Sequence, residues 1–219
     1  AMLLINETLS SIDAEASELV GIGVAVAAPV ATSDHTIAIP GILPGWDGVD
    51  ITSPLRTAFN VPVYVDNDAN FAAYGESRMG VAAGKRNFVY ISASDGVGAG
   101  IVINGEIMHG VTGLAGEIGH IQVDPLGAIC SCGNRGCLER IVGENALGER
   151  AAACGLDVSA LAGRKLLYSD VGAMAQNGDV QARALIRGLA QDLAYGVSNL
   201  ISLFNPSLII IGGTGVKLG

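Results

Sequence analysis

The chain has 219 residues, half of them hydrophobic, enough for one large or two modest domains with a real core. A formal charge of −9 leaves no basic face to neutralise phosphates, which argues against this stretch itself holding nucleic acid. No apolar run reaches membrane-spanning length and no secretory signal opens the chain, so the expected location is the cytoplasm, with no membrane partner.

Along the chain, Leu3, Leu4, Leu9, Ile12, Ala16 and Leu19 fall mostly at helical spacing and predict a helix over 3–19. The apolar run 20–26, with two glycines, predicts a buried strand. A loop carrying Pro29, Pro40 and Pro44 follows, with Trp46 near its end expected to pack. A helix at 51–59, a strand at 61–65 and an Ala-rich helix at 69–79 come next. The signal then turns to strands at 88–93, 100–103 and 106–108, the last two joined by the hairpin pair Asn104-Gly105. Residues 180–204 carry a long helical stripe that includes Leu185, Leu189, Leu193, Val197 and Leu200, read as core rather than as a dimer face. Asn205-Pro206 stops that helix before a buried strand at 208–211. Strands interleaved with helices make this an α/β chain.

The most specific chemistry lies in AGEIGHIQVDPLGAICSCGNRGCLE, residues 115–139. His120, Cys130, Cys132 and Cys137 form a complete Cys₃His set for a closed, structural zinc site. Gly127, Gly133 and Gly136 allow the tight turns that would gather three sulfurs. A disulfide is the alternative, but a C-x-C pair is poorly placed to close on itself, and Cys154 is the only other cysteine. Bound thiolates also suit a reducing compartment. Cys154 itself reads as a small buried hydrophobe. Spacing suggests no partner for His35 or His109, which are expected at surface or hairpin positions.

Asn67-Asp68 follows a predicted strand end, where α/β folds place ligand-binding groups. Asp68 there reads either as a hydroxyl acceptor or as the cap of the next helix. Glu117 and His120, three apart, share a face if they lie on a helical turn, and His120 has a second ring nitrogen for another partner. Glu139 stands two residues beyond Cys137. Each glutamate also reads as an ordinary solvated carboxylate.

The segments VDNDANFAAYGE, SDGVGAGIVINGEI, GLAGEIGH, CSCGNRGCLE and NPSLIIIGG occur in an order that resembles the ROK family of bacterial sugar kinases and sugar-responsive transcriptional repressors. The pattern is most similar to the effector-binding part of the regulators. The resemblance implies an actin-like (ribonuclease H-like), two-lobed sugar-kinase-type α/β fold, with a first lobe at 1–66 and a second at 67–219. It also implies that Asn67, Asp68, Glu117, His120 and Glu139 meet sugar hydroxyls, with Asp68 as catalytic base in a kinase.

Three departures from the family pattern bear on function. Ser94–Gly100 stands where the kinases usually carry a Gly-Thr-Gly phosphate loop, so Asp95, Gly96 and Gly98 are the weak nucleotide candidates. Asp95 there would set a carboxylate against phosphates. The family's opening Asp-x-Gly-x-Thr hairpin has no counterpart upstream of Val20, and the chain stops soon after Gly212-Gly213, so a piece of a longer module is expected. Ala27-Ala28-Pro29-Val30 replaces a usual Pro-Gly-Pro-Val, which bears on which sugar fits.

The favoured expectation is the sugar-binding effector domain of a regulator, a homodimer or higher oligomer that reaches DNA only through an upstream domain. Its partner would be a sugar or amino sugar and its cofactor structural zinc. The alternative is an ATP- and Mg-dependent hexose or N-acetylhexosamine kinase. A purely structural zinc module is a third reading, which leaves the grouped carboxylates unexplained.

Overall fold

The apolar run after Leu19 does become a strand, β1 (Ile22–Val26), and it pairs in parallel with β2 (Val63–Asn67) in the register Ile22↔Val63 to Val26↔Asn67. A computed structural model describes residues 1–218. The chain divides into two compact units, residues 1–71 with 109–115, and residues 72–108 with 116 onward.

In the first unit, the predicted opening helix is shorter than its periodicity suggests. Helix α1 (Met2–Ser11) ends where Asp13 takes φ 53°, and only a 3₁₀ turn at Ala16–Glu18 follows. None of its residues is fully buried; half-buried Ile5 packs on Leu55, Phe59 and Val63, while Leu3 and Leu4 stay exposed. β1 alternates half-buried and exposed positions, rather than being buried throughout as expected. The crossover to β2 runs through α2 (Thr52–Phe59), whose Leu55 and Phe59 pack with Val63. Asp50 Oδ1 accepts the Thr52 and Ser53 N–H groups, each at 2.9 Å. Hydrogen bonds to the Ser53 and Thr52 side chains and backbone hold its carboxyl down to about 2. Asn60, left-handed at φ 53°, ends α2. Trp46 is 44% exposed and does not pack as expected; the short turns around it, with positive φ at Gly45 and Gly48, leave it at the surface.

In the second unit, β3 (Phe88–Ala93) and β4 (Val97–Ile103) form an antiparallel hairpin. Asn104-Gly105, both at positive φ, turns β4 into the short β5 (Glu106–Ile107). β6 (Ile209–Gly212) adds in parallel to β3, giving the mixed order β5-β4-β3-β6. α3 (Asp68–Met79) starts in the first unit and ends in the second. Against the sheet lies α7 (Val180–Phe204), with the bounds that its apolar stripe predicts. Asp179 Oδ1 accepts the Ala182 N–H at 2.7 Å at its start, and left-handed Asn205 closes its end. Leu185, Leu189 and Leu200 of α7 are buried with Ile91, Leu138, Leu147 and Val171, so the stripe is core, although Ile201 at its end stays exposed. Three shorter helices complete the unit: α4 (Glu139–Val142), α5 (Leu147–Ala153) and α6 (Tyr168–Gln176). No helix among the described residues is long and apolar enough to cross a membrane.

Candidate functional site

The residues between β5 and α4 have almost no regular structure, and glycine geometry folds them. Gly116, at φ 95°, accepts the Ala99 N–H at 2.8 Å and sits so close that a Cβ would lie 1.9 Å from the Ala99 carbonyl oxygen. A 3₁₀ turn, Ile118–His120, follows, with Gly119 pressed on the Val97 carbonyl. The loop then doubles back through isolated bridges Gln122↔Cys137 and Ile129↔Arg135. Gly136, at φ 62°, lies where a Cβ would be 1.5 Å from the Asp124 carbonyl oxygen. No side chain can occupy that position.

This path gathers the ligand atoms of His120, Cys130, Cys132 and Cys137 within 4.8 Å of one another. His120 Nδ1 is 3.5 Å from Cys130 Sγ, and Cys132 Sγ is 3.7 Å from Cys137 Sγ. A tetrahedral ion with Zn–S of ~2.3 Å and Zn–N of ~2.0 Å has ligand–ligand edges of roughly 3.5–3.8 Å. The donor set and its spacing therefore fit such an ion. All four cysteines are free thiols. Burial opposes the Cys130 thiolate, but hydrogen bonds from the Cys132 backbone and from His120, Cys132 and Cys137 outweigh it and lower the thiol to about 7. Burial, then the neighbouring Cys132 and Cys130, push Cys137 up to about 12. One thiolate forms readily, and the next is resisted unless a cation joins the cluster.

The same loop places three of the expected hydroxyl acceptors against the start of β4. His120 points Nδ1 at the thiols and sets Nε2 3.8 Å from Glu117 Oε2. Glu139, the first residue of α4, accepts the Val97 N–H at 3.0 Å through Oε2. A Cβ on Gly119 would be 3.3 Å from Glu139 Cβ, so Glu139 lies directly beside the turn that carries His120. Glu139 also lines a cleft of about 200 Å³, together with Asp95, Ile129, Ser131, Arg140 and Asn145.

Asn67 and Asp68 belong to the first unit, at the end of β2. The capping role considered for Asp68 is shared and falls mainly on Asn67. Asn67 Oδ1 accepts the Ala69 N–H at 2.9 Å and the Asn70 N–H at 3.4 Å, and its Nδ2 donates to the Ala28 carbonyl at 3.3 Å. Asp68 Oδ1 accepts the Ala69 N–H at 2.9 Å. Its surface is exposed, but the surroundings are crowded, and that desolvation raises its carboxyl above the ordinary value despite the hydrogen bonds it accepts. This is the environment of a carboxylate able to hold or take a proton.

The Ser94–Gly96 segment is the tight turn of the β3–β4 hairpin, with the Ser94 N–H donating to the Gly96 carbonyl at 2.9 Å. β4 begins at Val97, three residues before the sequence predicts, and takes in Gly98. Gly96 is where a Cβ would meet Glu139 Oε2 at 2.8 Å, so this glycine serves the approach of Glu139. Asp95 forms an ion pair with Lys165, and its carbonyl accepts from Asn145 Nδ2 at 3.3 Å. Lys165 is a partner that spacing could not reveal, since it lies 70 residues away.

Two other expectations change. His109 has a partner after all, Asp66, with Nε2 to Oδ2 at 2.7 Å. Cys154 is only partly buried at the end of α5, where its thiol donates to the Ala151 carbonyl at 3.3 Å. His35 is exposed, in a left-handed turn.

Comparison with known proteins gives this geometry its context. The chain is 34% identical to the xylose repressor of Bacillus subtilis, over 88% of this chain and 48% of that protein. It is 36% identical to a glucokinase of Halalkalibacterium halodurans, over 98% of this chain and 67% of that protein. The crystal structure of a ROK family transcriptional regulator, a homologue of the E. coli MLC protein, superposes with a TM-score of 0.83 at 29% identity, covering 99% of this chain and 55% of that one. The chain thus spans about half the length of the repressor and regulator it matches. The ROK family model itself matches residues 2–217, and the chain belongs to the ROK family.

Proposed function

We propose that this chain is the sugar-binding effector module of a ROK transcriptional regulator of carbohydrate metabolism. The observation that carries this reading is the Asp95 turn. A phosphate-cradling loop needs free backbone N–H groups and no opposing charge. Here Ser94 N–H is spent within the turn, Gly96 faces Glu139, and Asp95 is held by Lys165. The sugar reading is supported by the polar groups that the family resemblance assigns to hydroxyls: Glu117, His120 and Glu139 cluster in the second unit, and Asn67 and Asp68 adjoin in the first. A sensor needs sugar affinity without turnover.

In this reading His120, Cys130, Cys132 and Cys137 hold zinc. Four protein ligands leave no open coordination position, so the ion's contribution is cross-linking. Glu117 and Glu139 accept sugar hydroxyls from a loop whose conformation is fixed before the ligand arrives, which lowers the ordering cost of binding. DNA is reached through a separate upstream domain, and the protein works as a cytoplasmic homodimer or higher oligomer.

A second reading, an ATP-dependent sugar kinase, is favoured by two features. Asp68 has the raised carboxyl expected of a general base, and the glucokinase relative is as similar as the repressor. Incubation with D-glucose or D-xylose and MgATP separates the two: the regulator reading expects sugar binding without ADP, and sustained ADP release would establish the kinase.

A further inference from the structure

His109 is a half-buried residue of the first unit that the sugar reading leaves unused, and its surroundings give it a role. Asp66, the residue before Asn67, collects three donors. Its Oδ1 accepts the Asn67 backbone N–H at 2.7 Å and Asn70 Nδ2 at 2.8 Å, while Oδ2 receives His109 Nε2 at 2.7 Å. An ionised carboxylate has no proton to give, so Nε2 is the protonated nitrogen in this pair. Asn70 is 3% exposed, and its Oδ1 has no partner among the described residues, so the bond to Asp66 is the one that orients its amide.

His109 is itself well anchored. The Ala115 N–H donates to its carbonyl at 3.1 Å, and Thr32 Oγ1 donates to the Val111 carbonyl at 2.8 Å. A Cβ on Gly113 would lie 1.9 Å from the Val30 carbonyl oxygen, so the 109–115 segment is pressed closely onto the unit. The imidazole therefore reaches Asp66 from a fixed strut, 43 residues away in sequence.

We propose that His109 is a positioning residue for the Asn67–Asp68 turn, acting through the Asp66 carboxylate. The Asn67 backbone stands opposite Val26 in the β1–β2 ladder, while its side chain has one 3.3 Å bond to Ala28 and its capping bonds to α3. With His109 bound, Asp66 cannot rotate, the Asn67 N–H stays tethered, and the Asp68 carboxyl leaves the strand in one direction. A charge-assisted hydrogen bond is strong enough for this. The ligand consequence rests on the sugar reading above; the ordering of the turn does not.

The test uses His109→Ala and His109→Gln, the latter keeping an amide donor at similar reach. Amide hydrogen exchange at Asn67, which needs no ligand, is expected to quicken roughly tenfold in His109→Ala and to return toward wild type in His109→Gln. Calorimetric titration with D-glucose and D-xylose is expected to show about tenfold weaker binding in His109→Ala, recovered within about threefold in His109→Gln. A purely structural role would track the melting temperature and give no recovery. Unchanged Asn67 exchange in His109→Ala overturns the positioning role. Wild-type protein that binds neither sugar overturns the ligand reading instead, and the exchange result still decides the role of His109.

Discussion

Glu139 and Val97 stand 42 residues apart in sequence, yet the Glu139 carboxylate accepts the Val97 N–H at 3.0 Å. That bond ties the end of the cysteine loop to the start of β4, where Gly119 is also packed against the Val97 carbonyl. Its geometry depends on Gly96, because a methyl there would come within 2.8 Å of Glu139 Oε2. Gly96→Ala is therefore expected to displace a flexible carboxylate end at a cost of about 1 kcal/mol or less in stability. Sugar affinity should fall roughly tenfold as Glu139 is misaimed. Thermal unfolding and calorimetry on the same sample check both, and unchanged affinity would remove Glu139 from the ligand set.

The cysteine cluster predicts one zinc per chain in purified protein, measured by elemental analysis. Cys132→Ser should release it and destabilise the fold by about 3 kcal/mol or more, since metal binding and folding are coupled. For a chain of this size that corresponds to a melting temperature lower by roughly 6–12 °C. Reloading metal-free protein near neutral pH should expel protons, because Cys137 is held protonated up to about 12 while Cys130 ionises near 7. Zinc uptake whose heat does not vary with buffer ionisation enthalpy would contradict this.

Gly136→Ala tests the loop independently of its ligands. The new Cβ would sit 1.5 Å from a backbone oxygen, in a left-handed conformation, with no flexible neighbour to yield. The expected loss is about 3 kcal/mol or more, together with the zinc. By contrast, Gly133 is also left-handed but meets nothing within 4 Å, so Gly133→Ala should cost only about 1 kcal/mol. Comparable unfolding midpoints for the two variants would refute the steric account.

Asp68 gives a pH dependence with a definite sign. Its folded-state carboxyl is raised by desolvation, so ionised Asp68 is a small cost to stability above that raised value, and the cost disappears as pH falls below the ordinary carboxylate range. Asp68→Asn should therefore be no less stable than wild type at neutral pH, by denaturant titration. Sugar affinity should move the opposite way, rising with pH above the ordinary carboxylate range as the acceptor ionises, with that rise lost in Asp68→Asn. An identical pH profile in the variant would take Asp68 out of the binding step.

The parts of this protein legible in its sequence are those set by local periodicity or by metal chemistry. The α7 stripe predicts Val180–Phe204, because burial on one side of a helix dictates its period, and the apolar segment Phe88–Ala93 is a strand with both faces packed. The cluster of His120, Cys130, Cys132 and Cys137, which could hold a metal ion, is recognisable because three thiols and an imidazole have few other reasons to gather. Tertiary pairings were not legible. Asp66–His109, Asp95–Lys165 and Glu139–Val97 join residues 42 to 70 positions apart, and nothing in their local sequence specifies the partner. The opening segment misleads for a different reason. Its apolar spacing continues past Ser11, but Asp13 at positive φ follows the helix end, and of the α1 side chains Ile5 packs on the unit while Leu3 and Leu4 stay exposed. The sequence leaves Asp68 as either a hydroxyl acceptor or the cap of α3, and side-chain geometry gives most of the capping to Asn67.

The central claim is sugar binding without phosphoryl transfer, and isothermal titration of D-xylose and D-glucose into the protein in the presence of MgATP tests it directly. The account predicts heats for at least one sugar that saturate at one molecule per chain, return to baseline after each injection and are the same without nucleotide. Steady thermal power after each injection, with ADP accumulating, would contradict it and identify a kinase. Absence of heat for both sugars would contradict the claim that Glu117, His120 and Glu139 form a sugar-binding set for either of them.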